Sequence, residues 1–176
     1  MSHEKTPSAH ENPARGHLFG ERGLLSELQL SVLTPNIIGT ISPPITLTFV
    51  LPGIPPFTLA QLPALHIDDV TDRVCLSATV CWQGISALEP NVVEFQLYRD
   101  APATGTLIFQ CVDTGFAANQ FVTTSFSHVD FPVMATPGQK EVLYFLVVVM
   151  LGGTANFSGP ITFTGAEIER NRTCNP

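Results

Sequence analysis

From Leu28 to Ile67 the chain carries no Asp, Glu, Lys or Arg. Charge is scarce throughout: charged residues make up 13% of the sequence, only 8 are Lys or Arg, and the net charge is -7. Nucleic acid and anionic membrane are bound through clustered cations, so the composition excludes both as partners. Hydrophobic residues reach 44%, which excludes a disordered chain. Long apolar runs are also missing. The most apolar region, Ile45 to Ile67, is interrupted by Pro52, Pro55, Pro56 and Pro63, so no membrane-spanning helix is expected. Met1 to Arg15 holds Glu, Lys, His and two prolines where a signal peptide needs an apolar core, so no targeting segment is expected and synthesis is placed inside a cell. The chain has no Gly-x-Ser-x-Gly elbow, phosphate-cradling loop, Cys-x-x-Cys pair or His-Glu-x-x-His helix. Neither enzyme activity nor a cofactor is expected.

What the chain does have is alternation with a period of two. Val74, Leu76, Ala78, Val80 and Trp82 are separated by Cys75, Ser77, Thr79 and Cys81, the pattern of a strand with one buried face. The pattern returns in Val93-Phe95-Leu97, in Leu107-Phe109-Cys111 and from Phe121 to Val129. Strands are predicted near 27–33, 45–50, 64–67, 73–83, 92–99, 106–111, 119–129, 141–150 and 161–168. Turns are predicted at Gln83-Gly84, Glu89-Pro90-Asn91, Thr104-Gly105, Thr114-Gly115, Pro137-Gly138 and Gly152-Gly153. Such spacing with no helical period predicts an all-β fold: an antiparallel jelly-roll sandwich of eight or nine strands with an extended N-terminal arm. At 176 residues one domain is expected, with roughly 70% of its unfolded surface buried. The division is an arm over 1–23, a jelly-roll body over 24–169 and a tail over 170–176. The segment Glu141 to Met150 is apolar on both faces, so its second face must be covered by a sheet or by another subunit.

The motifs that invite a chemical reading are weak. His128-Val129-Asp130 has the His-x-Asp form of a facial metal triad, but the remaining histidine candidate, His66, precedes it. His3, His10 and His17 recur every seven residues, yet Pro7 and Pro13 prevent a helix that would align them. Asp68, Asp69 and Asp72 are read as a solvated turn rather than a calcium loop, and Trp82 as a core wedge. No metal is expected. Cys75 and Cys81 lie roughly 20 Å apart along one strand face and cannot join. Cys174 is either incidental or a crosslink to a neighbouring subunit or to Cys75, Cys81 or Cys111.

The segments Ala78-Thr-Val-Cys-Trp-Gln83, Phe95-x-x-Tyr-Arg-Asp100, Thr123-Thr-Ser-Phe-x-His-Val-Asp-x-Pro132 and Ala155-Asn-x-x-Gly-Pro-Ile-Thr-Phe-Thr-Gly165 resemble those of small jelly-roll proteins of bacterial endospore surfaces. These include exosporium proteins and subunits of the pilus-like Ena endospore appendages. The resemblance spans residues 72–169. It implies a structural subunit, made in the mother-cell cytoplasm, that self-assembles head-to-tail through its N-terminal arm into a spore-surface fibre or coat layer. The implied partners are further copies in a homo-oligomer or helical polymer, a spore-surface anchor protein and a tip adhesin. Covalently linked appendages carry cysteines in the connector, whereas residues 1–74 contain none, which favours the thin F-type. Strand addition to an open sheet edge would drive the joint. Leu18, Phe19, Leu24, Leu25, Leu28 and Leu30 are its candidate contacts, although Leu24 to Leu33 is equally suited to completing its own sheet. The alternative function is a closed trimeric binding domain of the C1q or tumour-necrosis-factor type, such as an adhesin, with 141–150 on the three-fold axis. A viral capsid or tail jelly roll is a third.

Overall fold

The computed structural model describes residues 24–32, 36–50, 55–67, 69, 71–116, 118–131 and 141–169. Those residues form twelve strands in chain order: β1 (Leu24–Val32), β2 (Ile45–Thr48), β3 (Phe57–Gln61), β4 (Leu65–His66), β5 (Arg73–Gly84), β6 (Asn91–Arg99), β7 (Thr106–Gly115), β8 (Phe121–Asp130), β9 (Glu141–Val142), β10 (Tyr144–Gly152), β11 (Thr154–Phe157) and β12 (Ile161–Glu169). No described helix is long and apolar enough to cross a membrane.

Ten of the twelve segments make up eight strand positions, because two positions are broken. β1 pairs with β12 and β2 with β11, end to end along the same two columns. β12 and β11 both pair with β5, whose other side is taken by β8. The first sheet is therefore β1/β2, β12/β11, β5, β8, and the second is β3, β10, β6, β7. Apart from the β6–β7 hairpin, each of the eight strand positions is followed along the chain by one in the opposite sheet, which is the jelly-roll winding. A short β4–β9 ladder stands outside both sheets.

The alternation read in Val74 to Trp82 decides which face of β5 meets the second sheet. Val74, Leu76, Ala78, Val80 and Trp82 are buried and pack in one cluster with Phe95, Leu97, Tyr144, Leu146, Phe157 and Phe163. Each fully buried aliphatic or aromatic side chain contributes about 1.5–3 kcal/mol. Leu62 and Leu65 extend this core beneath β12. A Cβ on Gly165 would lie 2.6 Å from the Leu62 side chain and 2.9 Å from that of Leu65, so only glycine lets them approach. Phe145 and Val147, on the other face of β10, are also buried within the single chain and cluster with Tyr98 and Leu143.

The structure corrects several predicted boundaries. β3 follows Pro55-Pro56 and is an edge strand, where a preceding proline is tolerated, and its register with β10 shifts between Leu146 and Val147, which breaks the period. β11 is a separate short strand after a turn at Gly153 (φ +67°). β7 continues through Thr114 and Gly115, with Gly115 opposite Asn91, so that turn falls later. The 141–150 run divides at Leu143, whose carbonyl accepts from Asp100 N at 2.9 Å.

Candidate functional site

The His128–Asp130 pair lies on the inward face of β8, but its two members do different work. Asp130 is buried, and both its oxygens accept from Arg99 Nη1, at 3.1 and 2.9 Å. Tyr144 Oη donates to Asp130 Oδ2 at 2.8 Å, and Arg99 Nη1 also reaches the Phe131 carbonyl at 3.4 Å. Burial, the Asp130 charge and the hydrogen bond to it push the Tyr144 phenol far above its ordinary ionisation range. His128 instead sets its ring 5.4 Å from that of Phe109, and His66 is exposed at the far end of β4. No cluster of three or more His, Cys, Asp or Glu suited to a metal occurs among the described residues. The aspartate turn is closed on itself: Asp69 Oδ1 accepts from Thr71 N and Oγ1, and Asp72 Oδ2 from Asp69 N. Asp68 lies outside the described residues.

The sandwich has two unlike poles. Strand β1 starts at the pole that also holds the start of β5, the ends of β6 and β8, and the Arg99–Asp130–Tyr144 network. Arg73 there stacks its guanidinium 5.0 Å from the Phe131 ring centre. The opposite pole is built from residues 49–50, 85–90, 116, 118–120 and 152–153 and carries apolar side chains in loops. Leu88 is 100% exposed and Phe116 78%, with Phe49 and Val50 also exposed and Phe121 and Leu151 exposed at the adjoining ends of β8 and β10. Beneath them Asn91 is fully buried and uses all its hydrogen-bonding capacity. Its Oδ1 accepts from Ser86 N and Thr154 N, and its Nδ2 donates to the Ser86 and Gly115 carbonyls. Three loops are thus tied to one side chain, and their apolar residues project outward. Nearby, Trp82 Nε1 donates to Thr124 Oγ1 at 3.0 Å and Thr124 to Asp113 Oδ2 at 2.6 Å, so Trp82 is a wedge with its polar atom satisfied.

The candidate contact residues divide. Leu18, Phe19 and Cys174 lie outside the described residues. Leu24, Leu25, Leu28 and Leu30 lie in β1, which pairs with β12 of its own chain. The polar side chains of β1 share a face with the buried row of β12: Ser31 stands opposite Phe163, Gln29 opposite Gly165 and Glu27 opposite Glu167. Leu25, Leu28, Leu30 and Val32 point outward and are 61, 60, 51 and 40% exposed. The register is held by Glu27, which accepts from His66 N and from Gln29 Nε2, both at 2.6 Å. Cys75, Cys81 and Cys111 are free thiols. Burial, with Asp113 and Glu94 nearby, raises the Cys111 thiol above its ordinary value.

No protein-family model and no curated protein matches the chain. Among solved structures, a chain from the structure of infectious bursal disease virus, Gx strain, is similar at 11% identity and a TM-score of 0.41, over 94% of this chain and 43% of that one. Another, from work described as CBM4 structure and function, is similar at 10% identity and a TM-score of 0.26, over 63% of this chain and 61% of that one. The present chain spans less than two thirds of either neighbour. The jelly-roll assignment rests on the strand order above.

The apolar pole was missed in the sequence reading. Its signal was available: Leu88 sits just before the predicted turn Glu89-Pro90-Asn91 and Phe116 just after Thr114-Gly115, positions where a large apolar side chain has no strand face to occupy.

Proposed function

We propose that the chain is a structural subunit that assembles head-to-tail through its N-terminal arm, residues 1–23, into a fibre or coat layer. The spore-surface setting is proposed from the sequence resemblance alone. The observation that carries the reading is the polarity of the sandwich. The arm joins β1 at the pole rich in charge and hydrogen bonds, while the opposite pole displays Leu88, Phe116, Phe121 and Leu151. A joint between unlike ends is heterologous and propagates rather than closing. Leu18 and Phe19 give the arm two large apolar residues for an apolar acceptor on the next copy.

The closed trimer draws less support. Phe145 and Val147, the β10 residues that would face a three-fold axis, are buried within one chain. Negative-stain microscopy of the full chain and of a chain lacking residues 1–23 tests the proposal. Filaments that vanish on truncation support it, and compact trimers insensitive to truncation defeat it.

A further inference from the structure

We propose that the outward face of the first sheet is a second interface, through which two copies of this chain pack face to face, independently of the arm. The starting point is the inverted strand β1. A half-buried edge strand ordinarily turns its apolar row to the core, but here Glu27, Gln29 and Ser31 take the inner positions and Leu25, Leu28, Leu30 and Val32 the outer ones. The inner side has no room for leucines, because Leu62 and Leu65 already fill the space over Gly165. An apolar row held outward by internal hydrogen bonds needs a cover from elsewhere.

The rest of the face matches that need. Across the sheet, Leu30 is followed by Thr164, Ser77 and Ser127, and Val32 by Thr162, Thr79 and Ser125. A further row runs Leu28, Ala166, Cys75, Val129. No charged residue enters any of these rows, and Arg73 at the margin is drawn onto Phe131. Four of the six hydroxyls already have partners: Thr79 Oγ1 and Ser125 Oγ lie 3.0 Å apart, Thr164 Oγ1 donates to the Ser77 carbonyl at 3.3 Å, and Thr162 Oγ1 accepts from Asn36 Nδ2 at 2.8 Å. Covering them therefore strands few polar groups. Small residues at the centre also permit the ~10 Å approach of two packed sheets.

The area decides for a second copy. Four strand positions at about 4.8 Å and a ladder ten residues long at about 3.3 Å give roughly 600 Å² of flat face. That is on the order of the ~800 Å² per partner that a stable protein pair buries. The same face on another copy has the same size, lacks charge and offers its own leucine row. In a head-to-tail fibre this contact would ply two strands of subunits together; without a fibre it would give a dimer.

Ser77→Arg and Leu30→Lys test the face in the full chain, since both positions are exposed on it, and Ser77 is not among the candidate contacts of the head-to-tail joint. The expected result is that particle mass, or mass per unit length of a filament, falls by half, with the near-ultraviolet circular dichroism and the melting transition retained. Cys75 supplies a second readout. In the native assembly its alkylation by a bulky maleimide should be about tenfold slower than in Ser77→Arg, as for a face covered nine-tenths of the time. Ser77→Thr should behave as the parent. The proposal is overturned if the parent is monomeric at high concentration, or if both variants keep the parental mass and Cys75 reactivity. Filaments lost on removing residues 1–23 but unaltered by Ser77→Arg would overturn this interface and leave the arm-driven joint standing.

Discussion

The two poles of the sandwich are closed by different means. At the arm-proximal pole, Asp130 gathers Arg99 and Tyr144 from β6 and β10 onto the end of β8, so the side chains themselves seal the end. At the far pole, Asn91 satisfies the backbone of three loops, which frees the loop side chains from any structural duty. Apolar residues there cost the fold little, and a surface without structural duty is free to be shaped by binding.

The largest effect is expected at the sealed pole. Asp130→Ala leaves a mostly buried guanidinium and a phenol without their shared acceptor and should lower stability by about 3–5 kcal/mol in urea unfolding. Asn91→Ala removes four hydrogen bonds at the other pole and should cost about 2–4 kcal/mol. Equal, negligible effects of both would erase the contrast. Gly153→Ala meets both a left-handed backbone (φ +67°) and the Asn91 side chain at 2.7 Å, for about 1–3 kcal/mol.

Tyr144→Phe should cost about 1–2 kcal/mol near neutral pH and change the alkaline limb. The folded phenol holds its proton more tightly than the unfolded one, whose ordinary value is 10.0. Above about pH 10 the folded state therefore binds more protons, and stability falls as pH rises, by up to about 1.4 kcal/mol per pH unit. That slope should disappear in Tyr144→Phe when melting is followed across the alkaline range. The smallest effect on stability, within about 0.5 kcal/mol, is expected for Leu88→Ser with Phe116→Ser, and here assembly should be lost by electron microscopy. Retained filaments would show that the apolar pole is not the acceptor.

The winding was legible where a strand is long and one face is buried, as in Val74 to Trp82. It was illegible where tertiary pairing overrides the local pattern. Phe57 to Gln61 reads as a proline-broken loop because its edge position, set by β10, is invisible locally. The leucines of β1 read as an apolar row, but nothing local shows that Leu62, Leu65 and Gly165 turn that row outward. His128-Val129-Asp130 reads as a local pair, while the partners of Asp130 lie far away in the sequence, at Arg99 and in Tyr144.

Asn91 has one more consequence. Because it grips Ser86 through both amide and carbonyl, the stretch between Ala87 and Pro90 is pinned at its base whatever its own composition. A foreign peptide spliced there would be presented at one tip of the sandwich, without disturbing the hydrogen bonds that anchor its stem. If the chain polymerises, the insertion would also act as a steric plug, limiting growth to a single unit.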